Sequence, residues 1–272
     1  MSSIKITNVT NRTGSSGSTL SGISTVSSSN PVRLPVGTTG ERVGIESGSL
    51  RYNSTDNTLE FYNGTSWLTI SQSSSLINSR GVFGGGTTGT LQNVLDYITI
   101  ATTGNATDFG DLTVARQALA ACSSSTRGVF GGGYVAPLAQ NVIDYITIAT
   151  TGNATDFGDL TVARNNLAAC SSSTRGVFGG GYVFPTFQNV IDYITIATTG
   201  NATDFGDLTV VRAKLAACSS STRGVFGGGS PGNINIIDYI TIASVGNATD
   251  FGDLTISRDS IAACSSAHGG LL

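Results

Sequence analysis

The phrase RGVFGGG begins at Arg80, Arg127, Arg175 and Arg223, at steps of 47, 48 and 48 residues, and each copy is followed by DYITIA, GNATDFGDLT, an Arg and AACSS. A chain with this internal period folds one short unit repeatedly and stacks the copies, because a unit so small cannot bury its own faces. Within the unit, β-branched and aromatic residues gather in short runs punctuated by Gly, Asn and Asp, which predicts strands and no helix. In one copy the runs are Leu167 to Ser172, Arg175 to Gly179, Val190 to Ala197 and Asp204 to Leu208. The run NVIDYITIA is apolar on both faces of a strand, so its sheet is expected to be covered on each side by a neighbouring sheet. Four strands in about 48 residues predict a β-propeller blade, and four units predict an all-β propeller over residues 73–272.

Counting strands adds a constraint. The first unit begins at Ser79-Arg80 with no AACSS strand before it, whereas a surplus one, Ile261 to Ser266, follows the last unit and leads into HGGLL in the register of TRGVF. The expectation is that this surplus strand pairs with the first blade and closes a ring of four, since an unpaired edge invites association. The competing arrangement joins units from several chains in one oligomeric β structure.

The order R-x-x-L-A-A-C, hydrophobic strand, Gly-Gly, variable stretch and a strand containing Tyr resembles a kelch repeat. The resemblance places the kelch positions at Arg164, Gly180, Gly181, Tyr193 and Phe205, and it implies a kelch-like β-propeller. The only Trp, Trp67, lies outside the repeats, where kelch units usually carry one within.

Residues 1–72 form a different region. Residues 1–39 are rich in Ser, Thr and Gly, which reads as an extended attachment segment. Residues 40–72 give three strands, Leu50 to Tyr52, Leu59 to Tyr62 and Trp67 to Ile70, joined by the turns NSTDN and NGTS in a small β-meander. The phrases Pro35-Val36-Gly37-Thr38-Thr39-Gly40-Glu41-Arg42, Leu50-Arg51-Tyr52-Asn53 and Leu59-Glu60-Phe61-Tyr62-Asn63-Gly64, then Trp67, resemble a module of tail fibre and other appendage proteins of tailed bacteriophages, particularly those of cyanobacteria. That resemblance implies a virion component, other virion proteins as partners, and the homotrimer common among such fibres.

Charge removes several function classes. Only 11% of the 272 residues are charged, Lys5 and Lys214 are the only lysines, and the net charge of −3 offers no basic surface for nucleic acid. No apolar run approaches the roughly 18 residues a bilayer span needs, and the opening MSSIKITNVTNRTGSSG lacks a signal-peptide core. Neither membrane insertion nor a secretion signal is expected.

Candidate chemistry reads as structural. Cys122, Cys170, Cys218 and Cys264 occur once per unit without a CxxC pair; four thiols around an axis suit zinc, and a small buried hydrophobe also suits Cys. Asn153, Asp156 and Asp159 supply oxygens at spacings a calcium ion can use, but turn capping accounts for the same residues. The sole histidine, His268, has no nucleophile or carboxylate that sequence places beside it. Asp192 and Arg212 recur in every unit, as a structural ion pair would. No catalytic residue, metal or cofactor is therefore assigned, and no enzymatic activity is expected. The units differ mainly after GGG (TTGTLQ, YVAPLAQ, YVFPTFQ, SPGNIN) and in the pair after the Arg (QA, NN, AK, DS), two places expected on one face. Tyr134, Pro137, Tyr182, Phe184, Pro185 and Phe187 give that face aromatic surface suited to a sugar ring or a protein groove.

The function expected is that of a structural virion protein, a tail fibre or similar appendage. Its amino-terminal region docks it, and its propeller loops meet a host-surface glycan or protein or a neighbouring subunit. The alternatives are a sugar-binding, lectin-like propeller and a galactose oxidase-like or glycan-cleaving propeller enzyme. The enzyme needs metal ligands or paired carboxylates that differ between units, and the near-identical repeats lack such differences.

Overall fold

The computed structural model describes residues 34–42, 46–70 and 79–266, which fall into two compact units divided between residues 74 and 75. Most of the expected attachment segment, the stretch 71–78, and the tail with His268 lie outside the described residues. The fold is all-β, and its one helical element among the described residues is a 3-10 turn at Thr39–Glu41.

In the smaller unit, Leu50–Asn53, Thr58–Tyr62 and Trp67–Ile70 form the expected meander. Val36–Gly37, which sequence assigned to the attachment segment, adds a parallel edge strand to it. Its centre is polar. Glu60, 2% exposed, accepts from Asn53 Nδ2 at 2.9 Å and pairs with Arg42, which holds the carboxyl below its usual range.

In the larger unit, each repeat makes one small antiparallel sheet. One comprises Ala168–Ser171, Arg175–Gly179, Val190–Thr195 and Thr203–Asp207 in that order, so the four strands lie within a residue or two of those read from sequence. Ala120–Ser123, Arg127–Gly131, Val142–Thr147 and Thr155–Asp159 form an equivalent sheet, as do Ala216–Ser219, Arg223–Gly227, Ile236–Thr241 and Thr249–Asp253. The first sheet has only three strands, Arg80–Gly84, Val94–Thr99 and Thr107–Asp111.

The sheets gain a core from one another, as the two-sided apolar run required. Phe178, fully buried, projects from its strand onto the preceding repeat, where a Cβ on Gly131 would stand 2.6 Å from its ring; Phe226 covers Gly179 in the same way. The next glycine, Gly180, serves the backbone instead. At φ +65° it turns the chain, and a Cβ there would lie 2.6 Å from the Arg212 carbonyl oxygen. Ile191 and Asp192 on the central strand are both fully buried, which explains why NVIDYITIA does not alternate.

Backbone ladders join the repeats at equivalent points. The amide of Asn166 donates to the carbonyl of Ala118 at 2.9 Å, Lys214 to Asn166 at 2.8 Å, and Ser260 to Lys214 at 2.9 Å. A parallel file of hydroxyls runs beside it: Ser171 Oγ donates to Ser123 O and Ser219 Oγ to Ser171 O, each at 2.8 Å.

Among the described residues no closed ring of four blades is shown. Residues 261–266 carry no strand, and the first sheet acquires no fourth strand among the described residues. Phe83 and Phe251, at the two ends of the array, are 60% and 54% exposed, whereas their counterparts Phe178 and Phe205 are at most 2% exposed. Stacking fixes the step between neighbours locally, and strand counting carries no information on whether four steps complete a turn.

Candidate functional site

The variable stretch after GGG forms a short hairpin in the two central repeats: Tyr134–Val135 with Leu138–Ala139, and Tyr182–Val183 with Thr186–Phe187. These pairs are too short for a period-two pattern to reveal. Each hairpin is tied at its base to the variable pair after the buried Arg. Tyr134 N donates to Gln117 O at 2.8 Å and Tyr182 N to Asn165 O at 2.8 Å, with the reciprocal bonds at 3.2 and 3.1 Å. Both variable places therefore emerge together, on the face where sequence put them.

Between the two hairpins lies a cleft of about 610 Å³. Tyr134, Pro137, Tyr182 and Phe184 line it, together with Gln117, Ala118, Ala139, Asn165 and Asn166. Pro185 and Phe187, also singled out from sequence, do not line it; Phe187 instead backs Tyr182, with ring centroids 4.9 Å apart. Phe184 stands 82% exposed with its ring edge-on to Tyr182 at 6.4 Å. The amide residues were legible only as half of a variable pair, because their meeting with aromatic residues of the neighbouring repeat requires the stacked arrangement. The flanking repeats offer no aromatic counterpart: Thr87 and Leu91 make a single bridge in the first, and SPGNIN forms a turn in the last.

The lining combines flat apolar rings with amide donors and acceptors, and it contains no carboxylate, histidine, cysteine or lysine. Such a surface stacks against a ring and hydrogen-bonds its hydroxyls, but it holds no group that gives or takes a proton near neutral pH.

The other candidates lie in the framework. Arg164, fully buried, pairs with Asp192 at 2.9 Å and donates to Phe178 O at 3.1 Å; Arg116 with Asp144 and Arg212 with Asp238 repeat the pairing at 3.1 and 2.8 Å. Burial pushes the Arg164 guanidinium below its ordinary pKa, and Asp192 opposes that shift. Asp192 and Arg212 thus belong to successive pairs. Tyr193, singled out by the resemblance to kelch units, is sandwiched: Arg175 lies 4.5 Å over its ring and Phe205 meets it edge-on at 5.8 Å.

Asn153 Oδ1 accepts the amide of Asp111 in the preceding repeat at 3.1 Å, and Asn201 treats Asp159 likewise, so this Asn caps a strand across the junction. Cys122 and Cys170 are packed against Gly176 and Gly224, and burial pushes the Cys122 thiol up to about 12 and raises that of Cys170 likewise. Among the described residues no three His, Cys, Asp or Glu side chains converge to hold a metal ion.

No protein family matches the chain, and no curated protein matches it significantly.

Proposed function

We propose that the chain is a non-enzymatic structural protein of a tailed-phage virion. In this reading its amino-terminal region docks it among other virion proteins, and its kelch-like propeller array presents the cleft to a host-surface glycan. The observation that carries the recognition reading is the composition and place of the cleft. Aromatic rings and side-chain amides converge between the central hairpins, at the positions where otherwise near-identical repeats differ. A saccharide offers the complementary surface, an apolar ring face edged by hydroxyls, so Tyr134, Tyr182 and Phe184 supply stacking while Gln117 and the half-buried Asn166 supply hydrogen bonds. The virion assignment rests on the resemblance of the amino-terminal phrases and repeats to phage appendage proteins.

The test is binding of the purified chain to a glycan array and to candidate cyanobacterial cells, for the native sequence and for Tyr182→Ala/Phe184→Ala. Saturable binding that the double variant loses, with an unchanged circular dichroism spectrum, is expected. Equal binding by the variant overturns the cleft as the recognition site.

A further inference from the structure

The two ends of the repeat array carry the two halves of a junction that the chain already makes three times. At the amino-proximal end Phe83 is 60% and Ile100 63% exposed, although Phe178 and Ile196, their counterparts inside the array, are at most 1% exposed. At the other end Phe251 is exposed, and Gly227 lacks the Phe ring that covers Gly131 and Gly179. Charge follows the same division. Arg258 is exposed whereas Arg116, Arg164 and Arg212 are fully buried, and Asp96 is half-buried and unpaired among the described residues whereas Asp144, Asp192 and Asp238 are buried in ion pairs.

Ala262–Ser265 is a strand sequence without a sheet, and the first sheet lacks that strand among the described residues. The segment is nonetheless already in position. Ser265 Oγ donates to Ser219 O at 2.7 Å and Ser260 N to Lys214 O at 2.9 Å, continuing both inter-repeat ladders by one step. Gly229 N donates to Arg258 O at 3.0 Å, as Gly181 N does to Arg212 O at 2.8 Å. The surface this segment matches is a sheet with the sequence and backbone of the first one.

We propose that the array associates head to tail with a second copy of this chain. Residues 255–265 of one copy complete the first sheet of the next by strand addition, with Ala262, Ala263, Cys264 and Ser265 opposite Gly84, Phe83, Val82 and Gly81. This is the register of Ala168 to Ser171 against Gly179 to Gly176. Arg258 then meets Asp96 of the next copy, and the ring of that copy's Phe83 covers Gly227. The contact is heterologous, so its rotation decides between a closed ring and a filament. It is independent of the glycan reading, since the cleft lies between the two central repeats.

The test introduces Val82→Cys opposite the native Cys264, oxidises the full chain gently and resolves the products on non-reducing gels. Multiples of the 27.7 kDa chain are expected, and they disappear when Cys264→Ser is added. Adding Phe83→Asp or Phe251→Asp, both at exposed positions, abolishes the linkage in either chain alone. Mixing those two variants restores a dimer and nothing larger, because only one competent junction remains. A product linked within a single chain overturns the proposal in favour of internal closure, and linkage that survives in either variant alone overturns the interface. Sedimentation velocity of the unaltered chain gives a second reading: a single 27.7 kDa species throughout a dilution series also overturns it.

Discussion

Arg164 and Asp192 allow the energetics of the repeat to be tested from both sides of one bond. Both side chains are inaccessible to solvent and stand 2.9 Å apart, so removing either strands the other in the core. Breaking a buried pair from one side costs about 3–5 kcal/mol. The two single variants should differ. Arg164→Met leaves a carboxylate that still accepts the Thr161 hydroxyl at 2.5 Å and the Thr161 amide at 3.2 Å, which puts it near the lower bound. Asp192→Leu leaves a guanidinium whose remaining described bond is to Phe178 O at 3.1 Å and also orphans Thr161, which puts it near the upper bound. The double variant removes both charges and should lie well below the sum of the singles. Urea unfolding followed by circular dichroism supplies the three values, and hydrogen exchange locates the loss in the sheet containing Phe178. Additive single effects, or two singles each under about 1 kcal/mol, would refute the buried pair as a coupled unit.

Gly180→Ala should cost more than the roughly 1–2 kcal/mol of a left-handed alanine, because its Cβ also meets the Arg212 carbonyl; Gly232→Ala, at φ +76° in open space, should cost the conformational part alone. The difference in their urea midpoints isolates the steric component. Iodoacetamide at mildly alkaline pH, applied to chain dilute enough to be monomeric, should label exposed Cys264 well before Cys122 and Cys170, as peptide mapping would show. A thiol raised from 9.0 to about 12 favours the folded state fully below pH 9 and progressively loses that contribution as pH climbs towards 12, so the melting temperature should fall across that window. Glu60 has the opposite sense. Its lowered pKa stabilises the small meander above pH 4.5 and ceases to do so as pH drops through the folded value, a change that the fluorescence of Trp67, the sole tryptophan, should report below pH 4.5.

The strands were legible because the unit uses β-branched residues between glycine and asparagine stops, a pattern that neighbouring structure reinforces. Arg164 and Asp192 were visible as recurring charges, but which Arg meets which Asp depends on strand order, and sequence offered no means of choosing between successive partners. The aromatic half of the cleft stood out because Tyr182 and Phe184 interrupt an otherwise repeated text. The amide half did not, since Asn165 acquires meaning only where it is tied to Tyr182 and set beside the preceding hairpin. That the last unit ends in a surplus strand sequence was plain from the repeat; the fate of Ile261 to Ser266 hinges on rotation between sheets, a property of many small contacts that no local motif encodes.

The ladder through positions 118, 166, 214 and 260 assigns the structural work to main-chain amides and carbonyls. All four residues adopt φ between 52° and 54°, yet they are Ala, Asn, Lys and Ser. Side-chain identity there is consequently unconstrained by the scaffold, apart from the modest penalty that a left-handed backbone imposes on residues with a Cβ. Two of these positions border the cleft. Point changes can therefore alter the chemistry of the cleft's lining without renegotiating the fold, in the way interchangeable bits fit one tool shank.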